Sequence, residues 1–263
     1  MVKDKIFLSV LVCLLGLCSC KYSKLLKSPD YEAKYQAALS YYEKHDYNRA
    51  LELFELTQAF YRGKMQGENI AFLTAESYYN LGEYSIASQY YKRYAATYPF
   101  GGHTEEAMFK SAYCYFEESP NISLDQTDTY TAISEFQQFT DTYPKSELVD
   151  SANILIDKLR YKLEQKDYQT CLLYYKMDEF RAAITSFETL MKDYPGTRHR
   201  EEILYYMVMT YYNYAEKSVT EKQRERYELS LEKFNTLTYM YPNSEYIAKL
   251  EPVVLKIREK LSK

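Results

Sequence analysis

The sequence predicts an all-α protein built from about five stacked helical hairpins, and three observations lead to this fold class. The 263 residues include only seven glycines and seven prolines, too few for a turn-rich β protein. Tyrosine occurs 32 times and tryptophan is absent, a composition suited to long helices that pack through aromatic rings. Residues 68–99 contain two apolar helical patterns joined by a short turn, and similar segments recur along the chain.

The clearest copy of the repeated unit is segment 68–99. Its two apolar patterns meet at Gly82 and stop at Pro99. Ala75 and Ala87 stand where the two helices would touch, with bulky tyrosines around them. The length resembles the roughly 34 residues of a tetratricopeptide (TPR) unit, which buries its apolar face only by stacking on neighbours. We therefore expect an α-solenoid of about five TPR hairpins.

The first and third copies flank this unit. Segment 31–61 matches it without a gap when Ala50 is aligned with Ala87. The third copy, 105–144, is opened by a polar insertion at 120–129. Insertions in a solenoid fall on one face, often the face used for binding.

The later copies are longer. An extended helical pattern at 146–163 leads straight into the fourth copy, 164–195, and predicts one unusually long helix that stiffens the join between two halves. The fifth copy, 201–242, carries a charged segment at 218–228, which we interpret as an enlarged hairpin loop. A last amphipathic helix at 250–261 is expected to cap the stack. One small residue marks the same position in each copy: Ala50, Ala87, Ala132, Ala183 and Ser230.

The N-terminus has the pattern of an export signal. Lys3 and Lys5 precede an apolar run at 6–17 that is too short to span a membrane. The run ends in LCSC, which resembles a bacterial lipobox and implies that Cys20 is acylated and becomes the new N-terminus. The alternative is an ordinary cleaved signal followed by a chance cysteine. The predicted organisation is a signal at 1–19, a lipid-anchored tether at 20–30, an N-terminal TPR half at 31–144 and a C-terminal half at 145–263.

The charge of the mature chain excludes some classes of partner. Loss of Lys3, Lys5 and Asp4 with the signal lowers the formal net charge from −4 to −5. A mildly acidic protein does not suit nucleic acid, so we expect no such partner. No acidic residue directly follows Cys20, whereas an acidic cluster there resembles a surface-export signal. Its absence favours the periplasmic face.

No catalytic set is recognisable in the sequence. The three histidines lie at predicted turns, and the chain has no HExxH, CxxC, GxSxG or glycine-rich phosphate loop. Cys114 and Cys171 lie in different copies among apolar neighbours, so we expect buried free thiols rather than a disulfide. We predict a protein that is not an enzyme and that has no cofactor and no metal.

A binding face is predicted on the first helix of each hairpin, which lines the concave surface in stacked helical repeats. Its side chains form an aromatic groove edged by acids, suited to an extended peptide with aromatic side chains. The alternative is that these rings are repeat core or simply cover the surface. The candidate residues are Tyr35, Tyr42, Phe72, Glu76, Tyr79, Phe109, Tyr113 and Phe116.

Several motifs together carry a family resemblance. The run from Asp125-Gln126-Thr127 through Ala132, Phe136 and Phe139 to Tyr143-Pro144-Lys145-Ser146 is the most specific of them. With the lipobox, about five hairpins, the opened third hairpin and the long helix, the chain resembles the BamD family. Members of that family are the lipoprotein subunit of the outer-membrane β-barrel assembly (BAM) machinery.

The resemblance implies a non-enzymatic scaffold that is lipid-anchored in the outer membrane and faces the periplasm. Its C-terminal half would dock to a BamA-type outer-membrane assembly protein. Its groove would meet unfolded outer-membrane β-barrel substrates, whose closing strand often ends in an aromatic residue, and would help to fold and insert them. Two other classes stay open: a TPR lipoprotein adaptor for cell-wall or envelope coordination, and a glycan-binding lipoprotein of the nutrient-uptake type. The latter family is much longer and stacks sugars on tryptophan, which this chain lacks.

Overall fold

The structure, a computed structural model, describes residues 22–262. In that range the chain is all-α, with eleven helices of twelve residues or more after a short helical segment at 22–27, and no strand. The predicted fold class is therefore confirmed. The helices are α1 (Tyr31–Glu43), α2 (Tyr47–Gln58), α3 (Met65–Asn80), α4 (Tyr84–Thr97), α5 (Thr104–Glu118), α6 (Thr127–Thr142), α7 (Val149–Lys176), α8 (Phe180–Asp193), α9 (Arg200–Glu216), α10 (Thr220–Met240) and α11 (Glu245–Leu261).

The helices form two compact units. Of the described residues, the first unit contains 22–120 and 126–159, and the second contains 121–125 and 160–262. The first unit holds the hairpins α1/α2, α3/α4 and α5/α6, and the second holds α8 to α11. The assignment of 31–144 and 145–263 to functional halves stays a prediction. Between residues 22 and 262 no helix is both long and apolar enough to cross a membrane.

Left-handed residues close the tight hairpin turns. Gly82 has φ of 78° between α3 and α4, as expected where glycine carries no Cβ penalty. His45 and Asp178 take the same position in two other turns, each with φ of 60°. The following helix then starts at once, and the side chain of Asp46 caps α2 by accepting a hydrogen bond from the backbone N–H of Arg49 at 3.4 Å.

The predicted column of small residues lies inside the helix contacts. Ala50, Ala87, Ala132 and Ala183 are all fully buried, which lets the backbones of paired helices approach. Ser230 takes this position in α10 and is also fully buried. Its hydroxyl donates to the carbonyl of Val208 at 2.8 Å, so the buried polar group is satisfied. The register of the repeats is therefore confirmed.

The long helix predicted before the fourth copy is confirmed as α7, which runs for 28 residues. The polar insertion of the third hairpin separates α5 from α6, but α6 already begins at Thr127. Ser119 and Thr129 bring the two ends of this loop together with a hydroxyl–hydroxyl hydrogen bond of 2.5 Å. The insertion is thus shorter than predicted.

The prediction of an enlarged hairpin loop at 218–228 was wrong. Helix α9 ends at Glu216 and α10 begins at Thr220, so most of this charged segment is the start of α10. The segment has no glycine or proline to break a helix. Arg224 pairs with Glu228 at 3.2 Å, a spacing that stabilises a solvent-facing helix.

The two cysteines in the described part of the chain are free and buried, as predicted. Burial raises the pKa of the Cys114 thiol to about 12, and the pKa of the Cys171 thiol to about 12. Both therefore stay protonated and act as small apolar side chains.

Candidate peptide-binding face

Four aromatic side chains form a continuous row across α3 and α5 in the first unit. On α5, the Tyr113 ring centroid lies 6.2 Å from Phe109 and 5.3 Å from Phe116. The spacings of three and four residues put all three rings on one face of the helix. Tyr79 of α3 extends the row, 6.4 Å from Tyr113. All four rings are partly buried, so each keeps some surface toward solvent.

Two of the predicted residues lie instead in the core. Phe72 is only 6% exposed, because the ring of His103 stacks on it at 4.1 Å. Tyr35 is 7% exposed and packs against Tyr61 at 5.3 Å between ring centroids. The amide of Asn69 donates to the Tyr35 hydroxyl at 2.9 Å. Most of each ring is therefore covered by its own unit.

Glu76 is a buried carboxylate beneath the aromatic row. Tyr91 donates to its Oε1 at 2.5 Å, and Lys110 Nζ donates to the same oxygen at 2.6 Å. Burial raises the pKa of Tyr91, and the neighbouring Glu76 charge raises it further, so the phenol stays a donor. The three side chains join α3, α4 and α5 in one hydrogen-bonded network.

Lys110 is the residue of this face that sequence reasoning missed. Its Nζ lies 5.7 Å from the Phe72 ring centroid and 6.0 Å from that of Tyr79, while it pairs with Glu106 at 3.1 Å. Burial opposes its charge, but hydrogen bonds and attraction from Glu76 and Glu106 raise its pKa overall. The four-residue spacing from Glu106 was the available signal. Because Lys110 compensates Glu76, the face is less acidic than predicted.

Tyr42 of α1 lies at the edge of the same face. Its ring packs edge-on against Tyr47 at 5.5 Å and is partly buried. Burial raises the pKa of Tyr42 to about 12, and the charge of Glu76 adds to this effect. The first hairpin thus contributes a polar aromatic tip near the buried carboxylate.

An open groove of about 530 Å³ lies beside these residues. Its lining comes from α1, from the start of α3 and from the turn before α5. Its lining residues include Tyr35 and Leu39 of α1, Met65 and Asn69 of α3, and His103. These are first helices of successive hairpins, which is the surface that the repeat pattern assigned to binding.

The anchor residue predicted from the sequence, Cys20, lies outside the described residues. Within the predicted tether at 20–30, residues 22–27 are helical. Tyr22 packs edge-on against Tyr41 at 5.5 Å and donates a hydrogen bond to Glu52. Leu25 and Leu26 also pack on the core of the first hairpin.

Comparison with known proteins places the chain in a family. A family model described as "YfiO: Outer membrane lipoprotein" matches residues 28–226. The chain belongs to the YfiO family of outer membrane lipoproteins. The match covers the first compact unit from residue 28 onward and the second as far as residue 226, and it leaves out most of α10 and all of α11.

Two curated relatives of this YfiO-family chain are each named outer membrane protein assembly factor BamD. The protein of Caulobacter vibrioides is 23% identical over 180 residues, which cover 68% of this chain and 59% of that relative. The protein of Rickettsia prowazekii is 24% identical over 214 residues, which cover 81% of this chain and 80% of that relative. The resemblance to BamD that the sequence motifs indicated is therefore confirmed.

Among solved structures, a kinesin light chain of Podosopora anserina with nearly identical TPR-like repeats covers 81% of this chain and 96% of its own length. It is 12% identical with a TM-score of 0.33. The fold class of the YfiO-family chain is therefore assigned from the arrangement of its own helices and not from this likeness. Among the residues from 22 to 262, no group of three or more His, Cys, Asp or Glu side chains could hold a metal ion.

Proposed function

We propose that this chain is a non-enzymatic lipoprotein scaffold that helps to fold and insert β-barrel proteins into the outer membrane. Membership of the YfiO family and the names of both relatives support an outer-membrane assembly role. The observation that carries the substrate step is the groove and aromatic row on the first helices of the first unit. The partners in this proposal are a BamA-type assembly protein and unfolded barrel substrates.

The aromatic row supports binding of an extended segment with an aromatic side chain. Tyr79, Phe109, Tyr113 and Phe116 offer partly exposed ring edges and faces, which favour a further ring in a tilted or stacked contact. Lys110 pairs with Glu76 at 2.6 Å, and Lys158 Nζ lies 4.9 Å from the Phe116 ring centroid. These two lysines therefore offset Glu76 and the Glu117 carboxylate beside Tyr113. A neutral aromatic surface favours an apolar strand end over an acidic peptide tail.

Photo-crosslinking tests the substrate face. Phe72 is a poor position for a probe because a bulkier side chain would break its stack on His103. Met65 lines the groove and is 86% exposed, so a photoreactive phenylalanine there leaves the packing intact. We expect it to label a peptide taken from the last strand of an outer-membrane barrel protein and ending in phenylalanine.

The matched control for this experiment is the same photoreactive residue at Tyr130. Tyr130 is 59% exposed and lies on α6, the second helix of a hairpin in the same unit. Labelling that is as strong from Tyr130 as from Met65, or that survives replacement of the terminal phenylalanine by serine, would refute the proposed face.

Docking to a barrel-type partner is tested by purification from detergent-solubilised membranes. We expect an outer-membrane assembly protein with a β-barrel domain to co-purify with the full chain. Recovery of cell-wall enzymes without any barrel protein would support the envelope-adaptor alternative instead.

The lipid anchor at Cys20 is part of the proposal. Lipidation is expected to hold the chain at the periplasmic side of the outer membrane, since two or more acyl chains give stable attachment. In cells fed radiolabelled palmitate, we expect label in the native chain and none in Cys20→Ser, which should move to the soluble fraction. Cys114→Ser serves as the control because that thiol is buried. Equal labelling of Cys20→Ser would exclude this anchor.

A further inference from the structure

A second groove in the first unit has a different character from the aromatic face. It measures about 350 Å³ and lies between α2, the start of α3 and α4. Arg62 and Arg93 both line it and both are exposed, and neither guanidinium makes an ion pair with any residue from 22 to 262. We refer to it as the arginine groove.

Close backbone packing sets one side of the arginine groove. At Gly67, a Cβ atom would lie 2.3 Å from the carbonyl oxygen of Tyr61, so any larger residue would push α3 away. Glycine therefore lets the start of α3 press against the turn that carries Arg62. The position of this guanidinium at the groove is a consequence of that contact.

Stacking sets the other side. The Arg93 guanidinium lies 4.8 Å from the Tyr90 ring centroid. Tyr90 in turn stacks on Tyr78 with centroids 4.9 Å apart. A planar guanidinium held against a ring keeps its donors directed outward and loses less conformational freedom on binding.

The second unit has an equivalent groove with the opposite charge. It measures about 270 Å³ and lies between α7 and α8. Five lining positions correspond between the two grooves, each 96 residues apart (for example 93 and 189). In the arginine groove they are Ala71, Tyr90, Arg93, Tyr94 and Thr97. In the second groove they are, in the same order, Asp167, Ser186, Thr189, Leu190 and Asp193. The hairpin fold thus accepts a threonine where Arg93 stands and aspartates nearby. The arginines are not needed to build such a groove.

We propose that the arginine groove binds a peptide segment of a partner protein through one carboxylate side chain, with an apolar neighbour against Tyr90. Guanidinium groups match a carboxylate through paired N–H donors, which favours an acidic side chain as the occupant. Glu55 also lines the groove and would repel a phosphate with two negative charges about twice as strongly as a carboxylate with one. The volume suits one or two side chains rather than a whole strand. This site is separate from the aromatic face and does not depend on its role.

The test is fluorescence anisotropy with the purified full chain in detergent and a labelled hexapeptide that contains one Glu-Phe pair. We expect saturable binding that weakens with salt and at least tenfold weaker binding of the Gln-Phe peptide. Arg93→Thr introduces the residue found at the corresponding position of the second unit, Thr189, and should weaken binding of the Glu-Phe peptide about tenfold. Arg62→Ser should also weaken binding of the Glu-Phe peptide. Arg181→Thr, at an exposed arginine of α8, is the control and should leave that binding unchanged.

Three results would each overturn the proposal. They are equal binding of the Glu and Gln peptides, equal affinity of Arg93→Thr and native protein, and displacement of the peptide by millimolar inorganic phosphate or by phosphatidylglycerol in mixed detergent micelles. Circular dichroism checks that each variant is folded. If Arg93→Thr fails to fold, Arg93→Lys replaces it in the test, because lysine keeps the positive charge but lacks the paired N–H donors of the guanidinium. Peptide binding by Arg93→Lys as tight as that by the native protein would count against the proposal.

Discussion

Two donors, Tyr91 and Lys110, serve the same carboxylate oxygen of Glu76 inside the first unit. Its side chain is 11% exposed and that of Lys110 is 26% exposed, so solvent screens this pair only weakly. Removing one partner leaves a buried charge without compensation, which is more harmful than losing a surface pair.

Lys110→Met should therefore destabilise the chain. We expect a loss of about 2–3 kcal/mol in the free energy of unfolding, measured by urea denaturation. Lys222→Met is the matched control, because Lys222 pairs with Glu225 at 3.4 Å on an exposed stretch of α10. A loss no larger than that of Lys222→Met would show that Glu76 is satisfied without Lys110.

Stability should also depend on pH through Glu106. Burial opposes its ionisation, but hydrogen bonds from His103 and Lys110 outweigh burial and lower the pKa of Glu106 below its usual 4.5. A lowered folded-state pKa stabilises the fold above pH 4.5, and this contribution is lost as pH falls through the folded value.

The corresponding experiment compares urea midpoints from pH 5 down to pH 3. Glu106→Gln should flatten part of the decline seen in the native protein. Glu105→Gln, at an exposed neighbour without an ion pair to any described residue, should leave the decline unchanged. Identical pH profiles for Glu106→Gln and native protein would contradict this assignment.

Individual site residues were predictable only in part. The spacing of Phe109, Tyr113 and Phe116 placed them on one helix face, and they do lie together. The burial of Phe72 was not predictable, because its cover is His103 from the turn after the next helix. Helical periodicity gives the direction of a side chain but not what the neighbouring hairpin places over it.

Within the elements, the small-residue column controls how closely helices pack. Ala87→Leu would add three heavy atoms to a fully buried contact of α4. We expect a cost of about 1–3 kcal/mol, seen as a lower melting temperature. Ala248→Leu, at an exposed position of α11, is the control and should have little effect. An unchanged melting temperature for Ala87→Leu would count against the register of the repeats.

The hairpin turns make a second prediction. Gly82 has positive φ and open space around it, so only backbone strain opposes a side chain there. Gly82→Ala should cost about 1–2 kcal/mol. Gly196→Ala also meets nothing within 4 Å and has no positive φ, so its unfolding curve should match the native one. Equal curves for both variants would mean that the α3/α4 turn adopts another conformation.

Junctions between hairpins follow a rule that the sequence did not reveal. His103 stacks on Phe72 at 4.1 Å, and His199 stacks on Tyr168 at 4.1 Å, each after a Tyr-Pro junction. The sequence places these histidines only at turns, because their aromatic partners lie about 31 residues earlier in the chain. The charged start of α10 was missed for the opposite reason, since local polarity suggested a loop where charge pairs support a helix.

For the whole molecule, the number of hairpins and their order were predictable because each copy repeats a local pattern with one small residue at a fixed place. The division into two compact units was less accessible, because one boundary between them, at 159/160, falls inside the uninterrupted helix α7. The arginine groove escaped notice for a related reason. Arg62 lies in the link between the first and second hairpins and Arg93 lies in α4, so no single repeat contains the site.

The helical segment at 22–27 packs on the first hairpin and therefore limits the length of free chain between this hairpin and the predicted lipid anchor. If Cys20 carries the lipid, only one residue separates the anchored position from Tyr22, which packs on Tyr41 of the first hairpin. Two residue steps of fully extended chain span roughly 7 Å, so the first hairpin is held within about one helix diameter of the lipid headgroups. A segment bound by the first hairpin would then be held close to the membrane surface.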